Sequence, residues 1–253
     1  MKHMGLIPAR LSSQRLKDKP LQLVDGQPLC LYVAESLIKT NVFDQVIVAT
    51  DSEKVMDVFK GHDAKALMTD PNHQSGTDRI HEVVETLGLN DDEVIFNIQG
   101  DEPLIYREDL LKIKEVMEDG AEMASLYEEI SSNDIENLNK VKVLINKNSE
   151  AIYFSRYGIP FSRVSSTEKK LNPSFIGKHI GLYAYTVSFL KRFCDYKEGF
   201  SESCEKLEQL RALEMGTQIK MIFTKNSYQG VDTIEDLEKI NEHLSKRKTN
   251  NEG

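Results

Sequence analysis

The sequence predicts an α/β fold built on a mostly parallel sheet, and three observations carry that prediction. Strand-like and helix-like stretches alternate through the first half of the chain, the pattern of a parallel sheet covered on both faces. The strand-like stretches are short apolar runs rich in Val, Ile and Phe, as fully buried strands are. The runs turn polar at their carboxyl ends, where open α/β sheets bind ligands. The clearest is Val94-Ile95-Phe96-Asn97-Ile98, followed at once by Gln99-Gly100-Asp101-Glu102-Pro103. Gly100 lets the backbone approach a ligand closely, and a carboxylate at such a strand end suits a hard metal ion. Taken alone, the same stretch is also an ordinary turn before a helix.

The elements follow in order. Residues 4–9 read as a first strand that runs into a basic loop over 10–19 holding Arg10, Arg15, Lys17 and Lys19 with Ser12 and Ser13. Such a loop binds an anion, because Arg pairs with phosphate oxygens bidentately, or is simply a solvated charged loop. Residues 28–39 have the apolar spacing of an amphipathic helix with Pro28 near its start. Residues 46–50 form a second buried strand ending at Asp51, Ser52 caps a helix through 59, and 65–68 form a short third strand. Ser75 or Thr77 caps a helix over 80–87, leaving backbone N–H groups for a ligand. His73 and His81 match no metal-site spacing, and Arg79 contacts a ligand or forms an ion pair. A helix over 108–118 and a partly alternating strand over 121–130 come next. Residues 140–145 alternate with period two and 151–154 follow after a turn at Asn148, which predicts an antiparallel hairpin. A loop over 162–174, a strand over 179–185, a helix over 204–215 and a strand over 219–223 follow. Thr233 caps a final helix over 234–244 with Asp236 at the capping-box position. The expected organisation is a single domain over 1–246 and a flexible tail over 247–253, with no repeat and no inter-domain linker.

Composition excludes several classes. A net charge of −9 over 253 residues argues against the broad phosphate-neutralising face of a nucleic-acid binder. Cys30, Cys194 and Cys204 have no metal-ligand spacing and form no disulfide framework. No apolar run is long enough to span a membrane, and the N-terminus lacks a signal peptide's apolar core and cleavage site. A soluble cytoplasmic protein is expected. Neither G-x-x-x-x-G-K-[ST] nor G-x-G-x-x-G occurs, which opposes a P-loop enzyme and a dinucleotide-dependent dehydrogenase. What remains is a basic loop after the first strand, Asp101 after the central strand and Asp232 late in the chain. Carboxylates on separate elements, with Mg²⁺ and a few cations, are what phosphoryl chemistry on a nucleoside triphosphate needs.

The motifs resemble those of the CMP-Kdo synthetases, the 3-deoxy-manno-octulosonate cytidylyltransferases, along nearly the whole chain. They are Ile7-Pro8-Ala9-Arg10 with Ser13, Arg15-Leu16 and Lys19-Pro20, then Val48-Ala49-Thr50-Asp51 and His73-Gln74-Ser75-Gly76-Thr77-Asp78-Arg79. Gln99 to Ile105, Tyr153-Phe154-Ser155-Arg156, Lys178 to Tyr185, Glu205 to Glu214 and Val231-Asp232-Thr233 complete the set. The resemblance implies a three-layer αβα sandwich of the nucleotide-diphospho-sugar transferase type with a small antiparallel dimerisation subregion. It implies CTP, Mg²⁺ and a homodimer, and CMP transfer to the anomeric hydroxyl of Kdo for lipopolysaccharide biosynthesis. By motif, Arg10 and Lys19 hold the triphosphate with Arg15 assisting, and Gly76, Arg79, Ala9, Gln99 and Gly100 recognise the cytidine. Asp101 and Asp232 hold Mg²⁺, while Arg156, His179, Tyr183, Glu208 and Gln209 contact the sugar. Arg10, Lys19, Asp101 and Asp232 would carry the chemistry. The chain departs from the family pattern at Ser12, which replaces a glycine, and at Lys17-Asp18, which replace Pro-Gly. Gly158 replaces a side chain beside the sugar contacts, which points to the 8-amino form of Kdo as an alternative substrate. A CMP-sialate-type synthetase and a non-catalytic nucleotide-binding relative are the rival readings.

Overall fold

A computed structural model describes residues 1–11, 16–161, 163 and 172–251, with the side chains of 247–251 left aside. The chain forms two compact units, Met1–Arg107 with Tyr228–Gly253 and Glu108–Ser227. The sequence shows no linker because both crossings fall in continuous structure or short connections rather than in a polar spacer.

In the first unit, β1 (His3–Pro8) is apolar and buried almost throughout. A 3₁₀ turn at Lys19–Leu21 and a small ribbon of β2 (Leu23–Val24) and β3 (Gln27–Pro28) lead into α1 (Leu29–Lys39). Pro28 stands just before that helix, where its missing N–H costs nothing. Then come β4 (Gln45–Thr50), α2 (Glu53–Val58), β5 (Lys65–Met68), α3 (Gly76–Leu87) and β6 (Val94–Asn97). The strands lie in the order β6-β1-β4-β5 and every ladder is parallel. Their carboxyl ends therefore share one edge, and the segments beginning at Ala9, Asp51, Thr69 and Ile98 emerge together. Phe96, with no exposed surface, packs edge-on against Phe43 at 5.0 Å in the core beneath that edge. Ser75 caps α3 in a reciprocal box with Asp78. Ser52 stands at the N-cap position of α2 but makes no side-chain cap bond.

The second unit begins inside α4 (Arg107–Glu118) and holds β7 (Met123–Glu128), β8 (Lys142–Ile145), β9 (Ala151–Ser155) and β10 (Ile176–Thr186). It ends with α5 (Val187–Asp195), α6 (Phe200–Glu205), α7 (Gln209–Glu214) and β11 (Ile219–Phe223). β11 pairs with β7 in parallel, while β7–β10, β10–β8 and β8–β9 are antiparallel. The expected hairpin is thus β8–β9. Two expectations differ here. Helix α5, capped by Thr186, escaped the sequence reading, and the single helix expected over 204–215 is two. Lys206 adopts a left-handed conformation (φ 52°) between them, which an α-helix cannot pass through.

The chain returns to the first unit for α8 (Ile234–Asn251), which runs past the point where sequence placed a frayed tail. Its start is the expected capping box, with Thr233 Oγ1 donating to Asp236 and accepting from the Asp236 N–H at 3.2 Å. Among the described residues no helix is long and apolar enough to cross a membrane.

Candidate active site

At the shared carboxyl edge of the first unit, Lys19 holds two carboxylates at once. Its ammonium donates to Asp101 and, at 2.8 Å, to Asp232 Oδ1. Local structure fixes all three groups. Asp18 adopts a left-handed conformation (φ 48°) and so turns the chain into the 3₁₀ turn that presents Lys19. That is the position where the family pattern has glycine, and Asp is among the few residues that tolerate it. Asp101 follows the tight turn after β6, in which the Glu102 N–H donates to the Gln99 carbonyl at 3.2 Å. Asp232 is carried by the capping box of α8, whose Asp236 carboxylate also accepts from the Asp232 N–H at 3.2 Å. The two acidic segments are joined directly, since the Val231 N–H donates to the Asp101 carbonyl at 2.8 Å. Burial alone would lower the Lys19 pKa, but the two carboxylates outweigh it and hold the ammonium above the ordinary lysine value.

Those carboxylates suit a divalent ion on chemical grounds. Already they embrace one cation, the Lys19 ammonium, and remain partly open to solvent. Among the described residues no group of three or more His, Cys, Asp or Glu could hold a metal. A pair of carboxylates that relies on substrate phosphates and water for its other ligands is the usual arrangement for Mg²⁺.

The glycines named from sequence meet on Pro8. A Cβ at Gly100 would stand 3.0 Å from the Pro8 carbonyl oxygen, and one at Gly76 would stand 3.1 Å from Pro8 Cγ. Both positions are close approaches of backbone to the end of β1, which no side chain could enter without displacing it. Ala9 extends that end, donating its N–H to the Ala49 carbonyl at 2.8 Å and accepting from Thr50 Oγ1 at 2.7 Å. Arg10 beside it is exposed, Gln99 is half-buried, and Arg15 lies outside the described residues.

Arg79 forms the ion pair that sequence left open as the alternative to a ligand contact. Only 2% exposed, its guanidinium donates to Thr69 Oγ1 and, at 3.1 Å, to Asp51 Oδ2. Asp51 in turn accepts from the Leu11 N–H at 3.2 Å. Arg79 therefore braces the start of the basic loop through Asp51. Sequence named Asp51 as a strand end and as part of the Val48-Ala49-Thr50-Asp51 motif but gave it no role.

The second unit gathers the residues assigned to the sugar in two groups. His179 and Tyr183 lie on β10 with ring centroids 5.3 Å apart, and Phe154 stands edge-on to His179 at 4.9 Å. The strand bulges between Ile180 and Tyr183, and Ser125 plugs the bulge, its Oγ within 2.9 Å of the Leu182 carbonyl and 3.0 Å of His179 Nε2. Since the hydroxyl proton goes to a carbonyl, the network assigns the imidazole proton to Nε2 and leaves Nδ1 an acceptor. Burial pushes the His179 pKa down to about 3, so the ring is a neutral acceptor at any physiological pH. In the other group, Arg156 follows β9 and its Nε donates to the Glu205 carbonyl at 2.9 Å. Glu208 and Gln209 begin α7 just beyond the left-handed Lys206, Gln209 being buried. Sequence missed Glu205 and Lys142 as partners of Arg156: Glu205 comes from a distant segment, and Lys142, although across the β8–β9 hairpin, meets a backbone carbonyl that no residue pattern marks.

With this geometry in place, comparison with known proteins is specific. The family described as cytidylyltransferase matches residues 4–221. The chain is 44% identical over 239 residues to a 3-deoxy-manno-octulosonate cytidylyltransferase of Francisella tularensis subsp. tularensis, covering 93% of this chain and 95% of that one. It is 41% identical over 247 residues to the protein of the same name from Bdellovibrio bacteriovorus, covering 97% and 98%. Among solved structures it is similar to a CMP:2-keto-3-deoxy-manno-octonic acid synthetase complexed with CTP, with TM-score 0.89, 34% identity and coverage of 98% and 100%. A cytidylyltransferase from Leptospira borgpetersenii shares the fold, with TM-score 0.63 at 16% identity.

Proposed function

This chain belongs to the 3-deoxy-manno-octulosonate cytidylyltransferase family, and on that premise we propose that it transfers CMP from CTP to the anomeric hydroxyl of Kdo or its 8-amino form. In this reaction the anomeric hydroxyl oxygen forms a bond to the α-phosphorus and releases its proton to solvent, the bond from that phosphorus to the bridging oxygen of the β-phosphate breaks, and pyrophosphate leaves with that oxygen. The CMP-sugar feeds lipopolysaccharide assembly in the cytoplasm.

The observation that carries the reading is the Lys19 ammonium held between Asp101 and Asp232. It supports a site built for a cation and a polyanion together. Asp101 and Asp232 would hold Mg²⁺, which when bound offsets charge on the triphosphate. Lys19 gives up the carboxylates when nucleotide arrives and turns its ammonium to the phosphates, where Arg10 and Arg15 join it. Gly76 and Gly100 allow the nucleotide to lie against backbone, with Ala9 and Gln99 beside it, and Arg79 braces that wall through Asp51. In the second unit Arg156 binds the sugar carboxylate, His179 accepts from a sugar hydroxyl, and Tyr183, Glu208 and Gln209 fix the ring. Exposed Ile152, Tyr157 and Phe161 around the β8–β9 ribbon support a homodimer through that region.

The test is pyrophosphate release from CTP with Kdo, 8-amino-Kdo or sialic acid, with and without Mg²⁺. Release with one of the two octulosonates that depends on the metal is expected. Release with sialic acid alone would move the assignment to a CMP-sialate-type synthetase, and no release with any sugar would remove the enzymatic reading.

A further inference from the structure

The backbone of Arg156 is gripped by two groups of opposite charge. On one side the Glu205 carboxylate accepts from the Arg156 N–H at 2.8 Å and from Ser155 Oγ at 2.6 Å. On the other side the Lys142 ammonium donates to the Arg156 carbonyl. Lys142 has no exposed surface, and its two remaining donors go to the carbonyls of Lys140 at 2.7 Å and Asn137 at 3.0 Å. Its three N–H donors thus meet three carbonyls, which is how a buried ammonium is satisfied without a salt bridge.

The same two segments reach the side chain. Lys206 ends α6 in a left-handed turn, and the freed carbonyl of Glu205 accepts from Arg156 Nε at 2.9 Å. The Lys206 carbonyl lies 3.4 Å from Nη2. Carbonyls at a helix carboxyl end attract a cation, so the guanidinium is held along one edge. Its Nη1 makes no hydrogen bond among the described residues.

A purely structural purpose does not account for this arrangement. The β8–β9 ladder ends at the pair Lys142–Ser155, so Arg156 is the first residue beyond it. Holding a single residue past a strand end with a buried lysine and a carboxylate is a costly way to stop fraying. It is a reasonable way to fix one guanidinium where a planar anion is to be read bidentately.

We propose that Glu205 and Lys142 are positioning residues for Arg156, holding its guanidinium ready for the carboxylate of the acidic sugar. The proposal rests on the reading of Arg156 as the sugar's carboxylate partner. Glu205 acts from both sides at once, by its side chain on the Arg156 N–H and by its carbonyl on Nε, while Lys142 prevents the peptide from turning.

Steady-state kinetics on the full chain with CTP and the octulosonate test it. Glu205→Gln places an amide donor where the N–H and the Ser155 hydroxyl need acceptors, and is expected to raise KM for the sugar about tenfold with KM for CTP within about twofold of wild type. Ser155→Ala, which frees one oxygen of Glu205, gives the same split at smaller size and covers the case in which Glu205→Gln does not fold. The decisive measurement is the cycle with Arg156→Ala: in that background Glu205→Gln should leave KM for the sugar unchanged, because the group it positions is gone. Equal changes in both KM values, or a Glu205→Gln effect that persists without Arg156, would overturn the proposal. A wild-type chain inactive with every acidic sugar would instead overturn the reading of the site on which it rests.

Discussion

Replacing Lys19 with methionine separates its two roles, as resident cation and as phosphate ligand. The ammonium stands 2.8 Å from Asp232 Oδ1 and closer still to Asp101. At about 3 Å one such pair is worth roughly 1.4 kcal/mol with water-like screening and about 6 kcal/mol at an effective dielectric of about 20. The Asp101 and Asp232 side chains are 34% and 40% exposed, which pulls the figure to the low end, about 1 to 2 kcal/mol for each contact. A divalent ion that enters without nucleotide must displace this ammonium, whereas in the variant it meets two uncompensated carboxylates. Lys19→Met is therefore expected to bind Mn²⁺ about tenfold more tightly than wild type when no CTP is present, by titration calorimetry or electron paramagnetic resonance of free Mn²⁺. The same variant should lose about a hundredfold in turnover, since a charge-assisted contact to the triphosphate is gone. Nucleotide-free Mn²⁺ affinity equal to or weaker than wild type would refute the reasoning, whatever happened to turnover.

The remaining expectations concern single groups. Asp101→Asn and Asp232→Asn each keep the fold, by thermal unfolding, and lose about a hundredfold or more in turnover; a near-normal rate at either position removes that residue from the cation seat. His179 has its native pKa held near 3 by burial, below that of an unfolded histidine, so the unfolded chain binds the extra proton between those values. Its contribution is fully present above about pH 6.5 and is lost as pH falls toward 3, at up to about 1.4 kcal/mol per pH unit. His179→Gln should flatten the denaturation free energy between pH 4 and 6, and an unchanged slope contradicts the buried neutral ring. At Asp18, held at φ 48°, glycine should be tolerated with a stability change below about 1 kcal/mol. Valine should cost about 1 to 2 kcal/mol or more and lower activity through a displaced Lys19; equal melting temperatures for the two would argue against the left-handed turn.

Much of the fold and part of the site were legible because they are written in local pattern. The strands of the first unit are continuous apolar runs, and their parallel pairing follows from alternation with helices. The box at Thr233 and Asp236 and the hairpin at β8–β9 are short-range signals that stand where the residues put them. Of the two caps offered for α3, Ser75 and Thr77, it is Ser75 that closes the box, so the helix starts at Gly76 rather than at 80. The meeting of Asp101 with Asp232 was legible only through the family resemblance, since 131 residues separate them in the numbering. What escaped was decided by how segments pack rather than by local pattern. Lys142 sits on the polar side of an alternating run that gave it no role, yet carbonyls from Asn137, Lys140 and Arg156 enclose its ammonium. Arg79 read as a ligand contact or an ion-pair partner, and only the packing of Asp51 and Thr69 around it shows the buried ion pair. The break at Lys206 could not be seen in the leucine spacing, because Leu207, Leu210 and Leu213 all lie beyond it and nothing in their pattern marks the left-handed residue before them.

The account stands most directly on where the phosphorus goes. With Kdo or 8-amino-Kdo, Mg²⁺ and CTP labelled at the α-phosphate, the label should appear in a CMP-sugar, while label at the γ-phosphate should appear only in pyrophosphate. Label from the γ-position on the sugar, or α-label recovered only as free CMP, would contradict cytidylyl transfer by this chain.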